Sequence, residues 1–184
     1  MLFSRILLAS SIALCSAGAA QAGDVELVAR YGEDGGDIRG AGLALRLGDL
    51  WSKERGQWKF RLRPEFEFNR FQFDSNRFHT SDSLPGRPTN LNEGAAVAHL
   101  RLQRSNGRFG PYAEVGFGLA ALNHVGLGGK DYSTGFQFTE RIGAGLTFPH
   151  GWSVGWQYAH YSNASIKTPN DGIDMQQIVI GVSF

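Results

Sequence analysis

The sequence predicts an all-β protein, an eight-stranded antiparallel transmembrane β-barrel with a polar interior filled by side chains. Three features of the chain predict this fold. Apolar and polar residues alternate with a period of two over most of the chain. The connections between predicted strands alternate between tight turns and longer polar loops, as they do in membrane barrels. The last residue, Phe184, is in phase with the apolar side of the last strand.

The chain divides into a removable leader and one domain. Residues 1–22 combine a positively charged start, an apolar stretch and an A-x-A cleavage site, which is typical of a secretory signal peptide. Residues 23–184 are then the barrel domain. The single cysteine, Cys15, lies in the leader, so a disulfide and a thiolate metal site are excluded from the domain. A formal net charge of +1 gives no indication of a nucleic-acid partner.

The clearest strand begins at Trp58 and reads W-K-F-R-L-R-P-E-F-E-F-N. One side of this strand is rich in aromatic residues, and the other carries charges of both signs, which would pair with one another inside a barrel. The predicted strands are residues 24–33, 38–49, 56–73, 94–105, 109–122, 133–148, 151–163 and 173–184. The tight turns are residues 106–108 and 149–151, and the longer polar loops are about 74–93, 123–132 and 163–172.

A secreted barrel of the lipocalin type, with its apolar side inward, is the alternative to a membrane barrel. It would need a cavity large enough for many Trp and Phe side chains, whereas the membrane barrel exposes them to lipid. After the leader there is no apolar run of about 18 residues, so no spanning helix is expected.

The segment 160–174 contains His160, Ser162 and Asp174, the residue types of a serine hydrolase site. With both termini in the periplasm, the seventh strand ends at the outer rim of the barrel, and the loop 163–172 is extracellular. All three residues have even numbers, in phase with the lipid-facing residues of their strands. Polar groups that face hydrocarbon are costly, so three of them at one rim require an explanation.

A guess at strand register brings two more residues to this rim. Pairing with residue numbers that sum to 300 places Glu140 beside His160 and Phe138 beside Ser162. Pairing with a sum of 336 places Ser162 opposite Asp174, which is then diagonal to His160. Residues i and i+2 of a strand lie roughly 6.5–7 Å apart on one face. A contact between hydroxyl and imidazole, with a carboxylate on the next strand, is therefore feasible.

Two other interpretations of this cluster remain open at this point. It could be an interfacial rim that hydrogen-bonds lipid headgroups. It could also be a metal site made of His160, Glu140 and Asp174, although such a site would contain a single histidine.

The segment RIGAGLTFPHGWSVGWQYAHYSNASIKTPNDGID, residues 141–174, resembles the lipid A 3-O-deacylases of the PagL type. The motifs F-x-x-R-I-G-A-G-L, H-Y-S-N-A and P-N-D-G-I carry the resemblance, which is clear over residues 110–184. It implies an eight-stranded barrel in the outer membrane of a Gram-negative bacterium, with a Ser-His-acid triad on its outer wall. It also implies a serine-type esterase that hydrolyses the 3-position acyl ester of lipid A in the outer leaflet.

By position, the resemblance implies a role for each residue of the segment. Ser162 is the nucleophile, His160 the base and Asp174 the acid. Asn170 and the backbone N–H near Ser165 form the oxyanion hole.

One departure from the family matters, because Asp174 stands where a member of the family has Glu. Either the loop brings this shorter carboxylate closer to the imidazole, or Glu140 takes its role. Glu140 and Phe138 match family positions that are usually acidic and Phe beside the site.

The resemblance implies no metal or organic cofactor. The expected partners are lipid A or lipopolysaccharide as substrate and outer-membrane lipid, with no nucleic acid, and the protein is expected to be a monomer or homodimer. Lys130 and Lys167 are candidate contacts for lipid A phosphates or ordinary solvated loop charges. Two rival functions are a non-enzymatic barrel that binds surface partners and a phospholipase or general esterase on the same scaffold.

Overall fold

The computed structural model describes residues 25–74, 86–105 and 109–184. The predicted signal peptide and the predicted turn at 106–108 lie outside these ranges. The strands are β1 (Glu26–Glu33), β2 (Ile38–Arg46), β3 (Trp51–Arg55), β4 (Trp58–Phe73), β5 (Asn90–Arg104), β6 (Gly110–Leu122), β7 (Gly126–Leu127), β8 (Lys130–Asp131), β9 (Phe136–Thr147), β10 (Trp152–Ser162) and β11 (Ile173–Ser183). A 3₁₀ turn spans Pro149–Gly151. In the described ranges, no helix has the length and apolar character needed to cross a membrane.

The strands close into an antiparallel barrel. Their order around the wall is β2-β1-β11-β10-β9-β6-β5-β4, and β2 also pairs with β4. Every strand of the ring therefore has a partner on both sides, and the prediction of an eight-stranded antiparallel barrel is confirmed. β7 and β8 form a separate two-stranded hairpin within the predicted polar loop 123–132.

The second predicted strand, 38–49, is interrupted, so its predicted end is wrong. β2 stops at Arg46, and the chain resumes pairing with β4 at Trp51 as β3. The Leu47 N–H donates to the Pro64 carbonyl at 2.9 Å, but Pro64 has no N–H to donate in return. The ladder breaks at this point, as at a β-bulge, and β3 extends along β4 past the barrel rim.

The alternation of the sequence separates the lumen from the outer wall. Buried polar and charged side chains fill the lumen, and Glu65 lies within ion-pair distance of Arg30, Arg46, His99 and Arg141. A carboxylate withdrawn from water needs such partners because its desolvation is otherwise uncompensated. The exposed large hydrophobic residues lie on the other face and include Phe66, Phe68, Phe117, Ile142, Trp152, Trp156, Ile178 and Ile180. The predicted polar, filled interior is confirmed.

At the end of the barrel where β10 ends and β11 begins, apolar side chains replace the charges in the lumen. The buried cluster contains Ile38, Phe71, Leu91, Ala95, Val97, Ala120, Leu122, Leu127, Tyr132, Ala159, Tyr161, Ile173 and Met175. Leu127 and Tyr132 belong to the segment that carries β7 and β8, and both are fully buried. This segment therefore covers the end of the barrel directly behind the ends of β10 and β11.

One of the two predicted registers is correct. Across β9 and β10 the residue numbers sum to 300, so Glu140 lies opposite His160 and Phe138 opposite Ser162, as predicted. Across β10 and β11 the predicted sum of 336 is wrong, because His160 itself lies opposite Asp174.

In the observed register, Phe184 lies beyond the pairing of β10 with β11. Phe184 pairs with Val25, its N–H donating to the Val25 carbonyl at 2.9 Å, and Trp152 lies opposite Val182. A shift of two residues keeps every side chain on its own face, so the hydrophobic pattern cannot distinguish the two registers.

Candidate active site

His160 and Ser162 lie on the outer wall of the barrel at the C-terminal end of β10. Tyr161, between them, points into the lumen and is buried, whereas Trp152 and Trp156 of the same strand are exposed. The outward orientation of His160 and Ser162 that parity predicts is therefore confirmed. Both residues are half-buried.

His160 and Asp174 form a direct contact between adjacent strands. His160 Nδ1 lies 2.6 Å from Asp174 Oδ1, and the two side chains are 34% and 46% exposed. The short distance follows from the register, which places the two residues opposite each other. Because Nδ1 is engaged by the carboxylate, the other ring nitrogen, Nε2, is the one that can accept a proton.

Tyr158 also contacts Asp174, which the sequence pattern did not predict. Its hydroxyl donates to Asp174 Oδ1 at 2.6 Å. Tyr158 lies opposite Gln176 and is therefore diagonal to Asp174, within reach of a long aromatic side chain. Tyr158 and His160 both have even numbers, so the sequence placed them on the same face. The predicted register, however, placed Tyr158 opposite Ile178 and away from Asp174.

Ser162 lies beside an aromatic surface. The Phe138 ring, opposite Ser162 across β9 and β10, stacks on the Phe117 ring at 6.1 Å and meets the Phe136 ring edge-on at 5.1 Å. The Ser162 hydroxyl makes no hydrogen bond to any residue that the structure describes. In unliganded sites, the contact between nucleophile and base often tightens only when substrate binds.

Glu140 faces the same side of the barrel but does not contact the imidazole. It is exposed on β9, opposite His160. Within the described ranges, no hydrogen bond or ion pair links Glu140 to His160. Of the two carboxylates that the sequence offered, the structure brings Asp174 to His160.

The loop after β10 is organised by Asn163, a residue that the sequence interpretation did not single out. Asn163 is fully buried, and its Nδ2 donates to the carbonyls of Tyr132 and Lys167, each at 2.9 Å. Its backbone N–H donates to Asn170 Oδ1 at 3.1 Å. Asn170 therefore lies next to the residue that follows Ser162, and its Nδ2 is left without a partner among the described residues.

Two residues of this loop adopt left-handed backbone conformations. Ala164 has φ 53° and Ser165 has φ 61°, values that are uncommon for residues with a Cβ. The turn is closed by the Ile166 N–H, which donates to the Asn163 carbonyl at 3.0 Å. In this turn, the N–H groups of Ala164 and Ser165 have no hydrogen-bond partner in the part of the chain that the structure describes. Residues in such sparsely populated backbone conformations often cluster at functional sites.

The β7–β8 segment supports this loop from behind. The Asp171 N–H donates to the Asp131 carbonyl at 3.0 Å, and the Asp131 N–H donates to Asp171 Oδ2 at 2.6 Å. Arg87 hydrogen-bonds the Asp131 carboxylate and holds the pKa of that group below its usual value. Lys130 lies 3.5 Å from Asp34 Oδ2 and donates to a loop carbonyl, whereas Lys167 is exposed.

A metal centre has little support from this geometry. Among residues 25–74, 86–105 and 109–184, no group of three or more His, Cys, Asp or Glu side chains is arranged to hold a metal ion. His160, Glu140 and Asp174 therefore do not form the metal site considered as an alternative.

Comparison with known proteins identifies the family of this chain. Residues 39–183 match the family model described as lipid A 3-O-deacylase (PagL). The chain belongs to the PagL family. This membership confirms the resemblance of the H-Y-S-N-A and P-N-D-G-I segment and, with the closed barrel and its apolar outer wall, the predicted outer-membrane location.

Two curated relatives carry the name lipid A deacylase PagL. The protein of Pseudomonas aeruginosa is 47% identical over 64 residues, which cover 35% of this chain and 37% of that protein. The protein of Bordetella bronchiseptica is 29% identical over 137 residues, which cover 73% of this chain and 70% of that protein. The first match thus spans little more than a third of the relative's length, and the second about two thirds.

The fold is also similar to a solved structure. The crystal structure of the outer membrane enzyme PagL superposes with a TM-score of 0.74 at 23% identity, covering 86% of this chain and 99% of that chain. At this identity the similarity supports the fold alone.

Proposed function

We propose that this protein is a lipid A 3-O-deacylase, an esterase that hydrolyses the 3-position acyl ester of lipid A in the outer leaflet. Family membership supports the reaction. The observation that carries the assignment to particular residues is the 2.6 Å contact between His160 Nδ1 and Asp174 Oδ1 on the outer wall, two positions from Ser162 on the same face.

The position of the site on the barrel wall suits a substrate that is itself a membrane lipid. The acyl chains of lipid A stay in the bilayer, and only the ester has to reach Ser162. The aromatic surface of Phe138, Phe117 and Phe136 lies beside Ser162 and offers apolar contact to an acyl chain.

The proposed chemistry proceeds through an acyl-enzyme. Ser162 Oγ attacks the ester carbonyl while His160 Nε2 takes the hydroxyl proton, and Asp174 stabilises the imidazolium. The bond between the acyl carbon and the sugar 3-oxygen then breaks, and His160 gives its proton to that oxygen, which leaves as the 3-hydroxyl. A water, activated by His160, then attacks the acyl-enzyme and releases the free fatty acid, which restores Ser162.

The loop after β10 supplies candidate donors for the oxyanion. Asn170 Nδ2 and the backbone N–H groups of Ala164 and Ser165 are uncommitted within the part of the chain that the structure describes. Asn170 is held in place through its oxygen by Asn163. A donor aimed at a developing oxyanion commonly contributes about 100- to 1000-fold to kcat.

The proposal includes export and assembly. Residues 1–22 are removed as the signal peptide, so the mature protein begins at Gly23, which N-terminal sequencing of the purified protein tests. The triad comes from β10 and β11 of a single chain, so a monomer contains a complete site. The two lysines, Lys130 and Lys167, are candidate contacts for lipid A phosphates.

The test is incubation of the refolded protein with hexa-acylated lipid A in detergent, with the products read by mass spectrometry. We expect loss of the 3-position acyl group with the wild type, and none with Ser162→Ala. Ser52→Ala, on the exposed strand β3 at the other end of the barrel, is the matched control and should keep full activity. Cleavage of glycerophospholipids in preference to lipid A would favour the phospholipase, and unchanged lipid with every variant would favour a non-enzymatic barrel.

A further inference from the structure

The Asp174 carboxylate receives two short contacts on the same oxygen. Oδ1 accepts a hydrogen bond from the Tyr158 hydroxyl at 2.6 Å and lies 2.6 Å from His160 Nδ1. Its other oxygen, Oδ2, accepts no hydrogen bond from any residue that the structure describes. The position of Oδ1 is therefore fixed from two directions, by two side chains of β10.

The register of β10 and β11 explains this convergence. His160 lies directly opposite Asp174, and Tyr158 is the diagonal neighbour on the same face, two residues nearer the middle of the membrane. Aspartate has one methylene, so its carboxylate stays close to its own strand. A long side chain on the neighbouring strand is needed to reach it, and the phenol ring of Tyr158 provides that length.

The surroundings explain why a protein donor is needed on this side of the carboxylate. Toward the membrane centre, the same outer face continues with Trp156 and Ile178, which are 44% and 55% exposed. Water is scarce beside such a surface, and a carboxylate without hydrogen bonds is costly there. The Tyr158 hydroxyl supplies a hydrogen bond that water supplies to an exposed carboxylate.

We infer that Tyr158 is a positioning residue of the reaction, which holds Asp174 Oδ1 against His160 Nδ1. With Nδ1 held by the carboxylate, the ring presents Nε2 toward Ser162. The assignment rests on the proposed function, because it presumes that His160 acts as the base. It adds to the proposed Ser-His-acid triad a further residue, on the lipid-facing wall, that orients the acid.

A purely interfacial role is the competing explanation, since tyrosines commonly gather where barrels meet the headgroups. The chain offers a matched control for that role. Tyr31 of β1 is also outward-facing, near the same rim and 58% exposed. Its hydroxyl makes no hydrogen bond to another residue in the described ranges. Tyr31→Phe and Tyr158→Phe thus each remove one hydroxyl from the lipid-facing wall, but only Tyr158→Phe removes a hydrogen bond to Asp174.

The kinetic test compares these two variants on lipid A in detergent. We expect Tyr158→Phe to lower kcat by roughly tenfold, the typical effect of one hydrogen bond to a charged group, with KM changed by less than about twofold. Tyr31→Phe should match the wild type. In an Asp174→Asn background, Tyr158→Phe should cause little further loss, because the hydrogen bond acts through the carboxylate. Full kcat in Tyr158→Phe, or an equal loss in both Phe variants, would overturn the assignment.

A second readout needs no turnover. The ¹⁵N chemical shifts of labelled histidine report which ring nitrogen carries the proton, and His160→Gln identifies the signals of His160. The wild type should show the Nδ1–H form of His160, and Tyr158→Phe should increase the Nε2–H form. Tyr31→Phe should leave the spectrum unchanged.

The two readouts separate the possible failures. An altered tautomer in Tyr158→Phe, with a wild type that leaves lipid A intact, would refute the proposed function but keep the hydrogen-bond role. An active wild type with an identical tautomer and identical kcat in Tyr158→Phe would refute the positioning role alone.

Discussion

Asn163 and Asn170 are joined by a hydrogen bond from the backbone N–H of Asn163 to Oδ1 of Asn170, 3.1 Å long. This bond closes the loop that follows β10 and fixes the amide of Asn170 one residue beyond Ser162. Because the oxygen of Asn170 is occupied, its Nδ2 is the atom free to face a substrate oxyanion. Two parts of one side chain thus have different roles, one structural and one proposed to be chemical.

Asn170→Asp separates these roles. The aspartate keeps an oxygen for the Asn163 N–H but loses the Nδ2 donor and adds a negative charge near the oxyanion. We expect kcat on lipid A to fall by about 100- to 1000-fold while the loop keeps its conformation. Hydrogen exchange of the loop amides checks the conformation, and Thr168→Ala, an exposed change in the same loop, is the control. A kcat within a few-fold of the wild type would remove Asn170 from the oxyanion hole.

Asp174→Asn and Glu140→Gln test which carboxylate serves as the triad acid. Asp174 contacts His160 at 2.6 Å, and Glu140 makes no such contact among the described residues. We expect Asp174→Asn to lower kcat/KM by up to about 10⁴-fold, because an amide favours the wrong tautomer of the histidine. Glu140→Gln should stay within about threefold of the wild type. The reverse order of these losses would make Glu140 the acid.

The contact between Arg87 and Asp131 predicts a dependence of the loop on pH. Arg87 lowers the pKa of Asp131 from its usual 3.8, so the folded state favours the ionised carboxylate. The contribution of this pair to stability is therefore present above pH 3.8 and is lost as the pH falls through the lowered value. This contribution to stability is expected to be small, because the Asp131 carboxylate lies near solvent.

Hydrogen exchange of residues 126–132, corrected for the intrinsic rate at each pH, measures this dependence. Protection should be constant near neutral pH and should fall below about pH 3.8 in the wild type. Arg87→Gln should show weaker protection already at pH 7 and a smaller change on acidification. The partly exposed pair of Arg39 and Asp74 offers a control, since Arg39→Gln should leave the exchange of residues 126–132 unaffected. Identical pH profiles for wild type and Arg87→Gln would contradict the expected linkage.

Removing the charge of one carboxylate in the lumen should strongly destabilise the barrel. Glu65 is fully buried among Arg30, Arg46, His99 and Arg141. Glu65→Gln leaves these cations without a shared counter-charge, and we expect the free energy of unfolding to fall by about 3–5 kcal/mol.

Urea unfolding in detergent, followed by tryptophan fluorescence, measures the effect of Glu65→Gln. Glu54→Gln on the exposed strand β3 should change the free energy of unfolding by less than about 0.5 kcal/mol. Equal stability of the two variants would indicate that the remaining carboxylates of the lumen compensate for Glu65.

The sequence by itself determined the fold and the face on which the site lies. A period of two assigns each side chain of a strand to one side of the sheet, so the outward positions of His160, Ser162 and Asp174 follow from their even numbers. The same period predicted the charged lumen around Glu65. Local motifs sufficed to identify the family, because they lie in one continuous segment of the chain.

Only the tertiary structure decided how these residues meet. Registers that differ by two residues keep the same faces, so the pattern could not show that His160 lies opposite Asp174 or that Tyr158 reaches the same carboxylate. The interruption at Pro64 likewise depended on which strand faced it. The bonds of Asn163 and Asp171 to the β7–β8 segment join residues about 30 to 40 positions apart, and such contacts exist only once the barrel has closed.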